Sequence, residues 1–197
     1  MSARMNTVIF PIIKLNYISA MRKLTHHENV LRQEKKMLLP RIALTVVLNN
    51  IRSLYNVGSI FRTSDGLGVK KLWLCGITGH PPHPQLMKTA LGAEMKVAWE
   101  HHPDVYYVLE KMKEDGYQII LLEQTDRSIP LDQCEISAPV CLVLGNEIEG
   151  VSERLLSLCD RSVEIEMDGM KNSLNVAVAF GIAAHHFRGG LKNKARY

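Results

Sequence analysis

From Pro40 onward, short apolar runs alternate with stretches whose apolar residues recur at helical spacing. "IALTVVL" (42–48) is β-branched and nearly all apolar, which predicts a strand. Further strands are predicted at "KLWLCG" (71–76), "KVAWEH" (96–101), "YQIILLEQ" (117–124), "APVCLVLG" (138–145) and "SVEIEM" (162–167). Between them, Val57, Ile60 and Phe61 mark a helix in "NVGSIFRTSDGLG" (56–68), closed by glycines. "HPPHPQLMKTALGAE" (80–94) reads as a loop and a short helix. "PDVYYVLEKMKEDG" (103–116) is amphipathic, with Pro103 at its start and Gly116 just past its end. "VSERLLSLC" (151–159) is a helix with Ser152 near its start, and "SLNVAVAFGIAAHHF" (173–187) is the last. Ahead of Pro40, residues 18–38 read as a polar helix that the proline stops.

Strands alternating with helices imply parallel β-α-β units, so the expected class is α/β: a mostly parallel sheet with helices on both faces. Runs such as "CLVLG" are apolar without alternation, as buried parallel strands are. Three segments are expected. They are a basic N-terminal extension with a helix (1–40), the α/β domain (41–187) and a basic C-terminal tail (188–197). Open parallel sheets bind ligands beyond the carboxyl ends of their strands. The loops that follow strands are therefore the places to look for chemistry.

Composition narrows the classes. The 197 residues are 46% hydrophobic and 22% charged, which suits one soluble globular domain with an appendage. The run "VIFPII" is broken by Pro11 and closed by Lys14, so neither a secretory signal nor a membrane span is expected. Cys75, Cys134, Cys141 and Cys159 show no C-x-x-C spacing, and a reduced, cytoplasmic protein fits best. The histidine pairs at 26–27, 101–102 and 185–186 are adjacent residues, which point different ways on any regular element. His80 and His83 flank two prolines without a nearby carboxylate or cysteine, so no metal is expected. The net charge of +4 hides an asymmetry, because both ends are basic and residues 41–187 are mildly acidic. Basic ends suit a phosphate backbone, and they equally suit plain solubility. There is no G-x-x-x-x-G-K-[ST], no G-x-G-x-x-G and no G-x-S-x-G. P-loop and α/β-hydrolase readings thus have no support, and a nucleotide-dependent oxidoreductase is disfavoured.

Three loops carry polar residues where apolar ones are expected. In the first, Asn56 stands where a helix cap is expected, Gly58 permits close backbone approach, and Arg62 falls within the first two turns. This reads as an anion-facing helix start, or as an asparagine cap with a surface arginine. In the second, a buried strand ends at Leu144 and Gly145, and Asn146 and Glu147 follow at once. Glu147 is either a placed functional carboxylate or an acid favoured by a helix dipole. In the third, Ile165 and Met167 leave a strand, and Ser173, Leu174 and Asn175 open a helix rich in small residues. Ser173 is there a functional residue or a plain cap.

Taken together, "NVGSIFRT" (56–63), "VLGNEIEG" (143–150) and "IEMDG…SLNVAVA" (165–169 and 173–179) resemble the three ordered motifs of the SpoU/TrmH family of RNA 2′-O-ribose methyltransferases, within the SPOUT class. The resemblance covers roughly residues 41–187. It implies an α/β fold with a C-terminal trefoil knot, a homodimer whose site is shared across the interface, and S-adenosyl-L-methionine as cofactor. It implies RNA, transfer or ribosomal, as substrate. Arg62 would be the central catalytic residue, with Asn56, Glu147, Ser173 and Asn175 beside it. Thr125, Leu144, Gly145, Asn146, Ile165, Met167, Ser173 and Leu174 would hold the cofactor. "RSLY" (52–55) stands where many members carry an Asp-Pro pair, so this loop departs from the pattern. A catalytically inactive RNA-binding protein on the same fold is the alternative, and intact motif residues argue against it.

Overall fold

The computed structural model describes residues 21–37, 39–137, 139–146 and 151–194. The chain divides into two units, Met1–Leu39 and Pro40–Tyr197. In the first, α1 spans His26–Met37, starting later than residue 18, and positions 18–20 lie outside the described residues. A reciprocal cap opens the helix. Glu28 N donates to Thr25 Oγ1 at 3.3 Å, and Thr25 N donates to Glu28 Oε2 at 2.8 Å. Arg22 pairs with the same carboxylate at 2.6 Å.

The second unit is a seven-stranded sheet: β1 (Ile42–Asn49), β2 (Val69–Cys75), β3 (Ala98–His102), β4 (Gln118–Leu122), β5 (Ile129–Pro130), β6 (Val140–Leu144) and β7 (Arg161–Glu164). The strand order is β3-β2-β1-β6-β4-β7-β5, and every pairing is parallel. The β-branched and leucine-rich runs form the strands predicted for them. β5 was not predicted, because two residues offer no periodicity to read.

The helices cover both faces, as alternation along the strands requires. Leu44, Val46 and Leu48 of β1 are fully buried in a core with α2 (Leu54–Leu67) and α6 (Val176–Lys194). Val47 faces the other way, into a core with α4 (Val105–Glu114) and α5 (Glu153–Leu158). The remaining helix, α3 (Pro84–Ala90), packs on α2. Gly58 makes that crossing possible, because a Cβ there would collide with the Leu86 carbonyl oxygen and Thr89 Oγ1. The close approach expected of Gly58 is therefore to helix α3.

In the second unit, the start of α2 and both ends of α6 differ from expectation. Ser53, and not Asn56, caps α2: its side chain accepts from Asn56 N at 3.3 Å. Asn56 thus lies inside the first turn, and Arg62 falls in the third turn, well away from the helix start. At α6, Asn175 Oδ1 accepts from Ala177 N at 3.0 Å, so Asn175 caps the helix in place of Ser173. At its other end α6 runs to Lys194, taking in Arg188 and Lys192 of the segment expected to be a tail. Among the described residues, no helix is long and apolar enough to cross a membrane.

Candidate active site

Three adjacent strands, β6, β4 and β7, end beside one another, and a cavity of about 330 Å³ opens where they stop. β6 contributes Leu144 and the residues after it, Gly145 and Asn146. β4 contributes Leu122, then Glu123 and Gln124. β7 contributes Glu164, then Ile165 and Met167. The start of α6 and the loop before it close the space with Ser173, Leu174, Val176 and Ala179. The size falls in the range of about 300–1,000 Å³ typical of small-molecule sites. Its walls are mixed, with aliphatic surface from both strands and helix and two carboxylates at strand ends.

Seven of the eight expected cofactor residues line this cavity: Leu144, Gly145, Asn146, Ile165, Met167, Ser173 and Leu174. Thr125 does not. Leu121 and Leu122 point to opposite faces of the sheet, and Thr125 goes with Leu121 into a second cavity of about 540 Å³ beside α5. Glu123, Gln124, Glu164 and Asn172 line the first cavity and were not singled out from the sequence. The usable signal was position: two of them stand at the carboxyl ends of buried strands.

The expected catalytic residues are brought together in part. Asn175 Nδ2 donates to Asn56 Oδ1 at 3.2 Å, joining the start of α6 to the first turn of α2 across 119 positions of sequence. Ser173 is exposed on the rim. Arg62 is exposed on α2 and makes no hydrogen bond or ion pair with another described residue. Glu147 lies outside the described residues. Asn146 is 4% exposed, and its Nδ2 donates to the Asn50 carbonyl oxygen at 3.0 Å. That bond ties the end of β6 to the end of β1, where Asn50 holds a left-handed φ of 59°.

The cysteines offer no nucleophile here. Burial pushes the Cys75 and Cys159 thiols up to about 12, and raises Cys141 as well. Such thiols stay protonated at neutral pH.

A parallel sheet with a ligand-sized cleft beyond the carboxyl ends of β6, β4 and β7 has the architecture of an α/β ligand-binding domain. Within that class, the chain belongs to the SpoU rRNA Methylase family, whose profile matches residues 43–185. It is 32% identical over 139 residues to the tRNA (guanosine(18)-2′-O)-methyltransferase of Thermus thermophilus, covering 71% of each chain. It is 28% identical to the enzyme of the same name from Aquifex aeolicus, covering 93% of this chain and 83% of that one. Among solved structures, the A. aeolicus TrmH/SpoU tRNA modifying enzyme superposes with a TM-score of 0.74, at 28% identity and 85% coverage of each. The AdoMet-bound rRNA methyltransferase of Sinorhizobium meliloti gives 0.71 at 25% identity, covering 79% of this chain and 60% of that one.

Proposed function

We propose that this chain transfers the methyl group of S-adenosylmethionine to a ribose 2′-hydroxyl of structured RNA. The observation that carries the reading is the convergence of the three motif segments. The second and third line one cavity, and the Asn56–Asn175 hydrogen bond fastens the first to the third. The family and the relatives support the same reading.

The cavity suits the cofactor. Leu144, Ile165, Leu174 and Val176 offer aliphatic surface to a flat base, and Glu123 and Glu164 suit the cationic part. Bound there, the cofactor supplies an electrophilic methyl carbon on a sulfonium. The family resemblance adds a trefoil knot, which would gather these loops around the ligand.

The chain's own task is to make a ribose hydroxyl nucleophilic. Arg62 is a poor base, because a guanidinium stays protonated at any physiological pH. Its role is electrostatic: to orient a phosphate of the RNA and stabilise the alkoxide that forms as the hydroxyl proton leaves. Asn56 and Asn175 position the ribose and Arg62, and Ser173 contacts ligand or RNA at the rim. Glu147 is assigned the fixing of an arginine rotamer.

We infer further that the working unit is a homodimer. Tyr55 near the start of α2 and Val178 and Ile182 on α6 are 45%, 51% and 42% exposed, and a second copy would cover them. Arg62, exposed on the neighbouring helix face, would then serve a cavity that a partner helps to close. A cytoplasmic location fits this role. Transfer RNA is the first substrate to test, given the named activity of the relatives.

The test is incubation with methyl-labelled S-adenosylmethionine and RNA from cells lacking the gene. Transfer and ribosomal fractions are separated, digested and searched for 2′-O-methylated nucleosides. Label in one fraction is the expected result. Absence of both label and cofactor binding sinks the enzyme reading and promotes the inactive RNA-binding one.

A further inference from the structure

Resting on that reading of the cavity, we propose that Glu123 and Glu164 form an acidic wall that favours the methyl donor over its demethylated product by charge. Among the described lining residues these two are the charged ones, and no lysine, arginine or histidine joins them. They stand at the ends of neighbouring strands, Glu164 closing β7 and Glu123 following β4. The backbone locks the pair together, since Glu123 N donates to the Val163 carbonyl oxygen at 3.0 Å.

Each carboxylate is held by one oxygen. Glu164 Oε2 accepts from Ser128 Oγ at 2.7 Å, and Glu123 Oε1 accepts from Gln124 N at 2.9 Å. Glu164 Oε1 and Glu123 Oε2 have no hydrogen-bond partner among the described residues, and both side chains are half-buried. Two fixed negative charges at the wall of a partly desolvated cleft attract a cation more strongly than the same charges in open water.

The chemistry of the reaction makes that attraction selective. S-adenosylmethionine carries a sulfonium, an ammonium and a carboxylate, so its net charge is positive. In the transfer the methyl–sulfur bond breaks and its electron pair stays on sulfur. The oxygen–methyl bond forms, and the hydroxyl proton departs with the positive charge. The product left in the cavity is a thioether with no net charge. Glu123 and Glu164 therefore hold the donor and release the product. Hydrogen bonds that these carboxylates accept from ribose hydroxyls or from the amino group, which donor and product share, would strengthen both alike.

Isothermal titration of the wild-type protein, Glu123→Gln and Glu164→Gln separates the two cases. The ligands are S-adenosylmethionine, S-adenosylhomocysteine, and sinefungin, whose amine carries a positive charge where the donor has its methyl-sulfonium. Glutamine keeps an acceptor for Ser128 or the Gln124 amide, and retained S-adenosylhomocysteine binding shows that each variant is folded. The wild type is expected to prefer both cations over the product, with a preference that shrinks as salt rises. Each substitution is expected to lower that preference by about three- to tenfold and to leave product affinity within about twofold, as loss of one partly screened charge does. An unchanged preference, or equal weakening of all three ligands, overturns the proposal. Failure of the wild type to bind any of the three overturns the reading of the cavity itself, and the inference with it.

Discussion

On one side of β6 the sheet continues through β1, β2 and β3, and on the other through β4, β7 and β5. The first side packs tightly where its helices cross. α2 presses on α3 at Gly58, leaving no room for a methyl group, and Arg62 stands on the outside. The second side is hollow where its strands end, and the loops around the hollow carry carboxylates and small residues. The first side thus carries the exposed Arg62, and the cavity whose described lining holds two carboxylates and no cation lies on the other. A binding cleft needs room, and a catalytic group needs a fixed base. The fold gives each requirement to a different half and ties the halves through Asn56 and Asn175.

The widest effect should come from Arg62. Arg62→Lys keeps the charge and loses the fork, and methyl transfer should fall by about a hundredfold or more. S-adenosylhomocysteine affinity should stay unchanged in calorimetry, and a parallel loss would break the division between halves. Mixing this variant with a cavity-blocked Leu174→Trp variant sharpens it. Recovery of transfer on mixing places Arg62 at a partner's cavity. Next comes the apolar face: Val178→Asp with Ile182→Asp should give a monomer in sedimentation and cut transfer by on the order of tenfold or more, as loss of central interface residues does. A monomer with full activity would remove the second copy from the site. Gly58→Ala should cost about 1–3 kcal/mol in urea unfolding, because the added methyl meets backbone oxygen on α3. Asn175→Ala should cost about 1 kcal/mol as a lost cap, whereas Ser173→Ala should change stability by less than about 0.5 kcal/mol.

The smallest effect lies outside both halves. Arg22 and the Thr25 groups hold the Glu28 carboxyl down at about 2, below its ordinary 4.5. A lowered carboxyl adds stability that is complete above the ordinary value and lost as pH falls toward the lowered one. The start of α1 should therefore stay capped to near pH 2 and open below it. A carboxyl resonance of Glu28 that titrates near 4.5 would contradict the pairing.

Most of the sheet was legible because buried parallel strands leave unbroken apolar runs, as "CLVLG" does for β6. The seven cavity residues were legible only as motif positions, since most are aliphatic or small residues that composition and periodicity do not single out. Three things were hidden. The first turn of α2 looked like loop, because Leu54 and Tyr55 follow a polar run, so the cap moved from Ser53 to Asn56. The end of α6 reads in sequence as a basic tail from Arg188, and Gly189 and Gly190, two poor helix formers, give no sign that the helix runs on. Gly190 is nevertheless tolerated where the helix lies against Ile136, because a Cβ there would come within 2.9 Å of Ile136 Cδ1. Thr125 and Glu123 were indistinguishable as residues after β4. Past Leu122 the chain turns and the strand's two-residue alternation no longer holds, so Glu123 enters the first cavity and Thr125 the second.

The position of β6 has a consequence for how the chain assembles. This strand, residues 140–144, is inserted between β4, which ends at Leu122, and β1, which is made far earlier in the chain. Until it arrives, β1 pairs only with β2 and leaves its other edge open, and β4 has no neighbour because β7 comes later still. Joining strands so far apart in sequence requires closing long loops before any contact rewards them, which slows folding. The growing chain thus exposes hydrophobic strand edges during synthesis. The cavity at the end of β6, closed by the start of α6, is among the last features to exist.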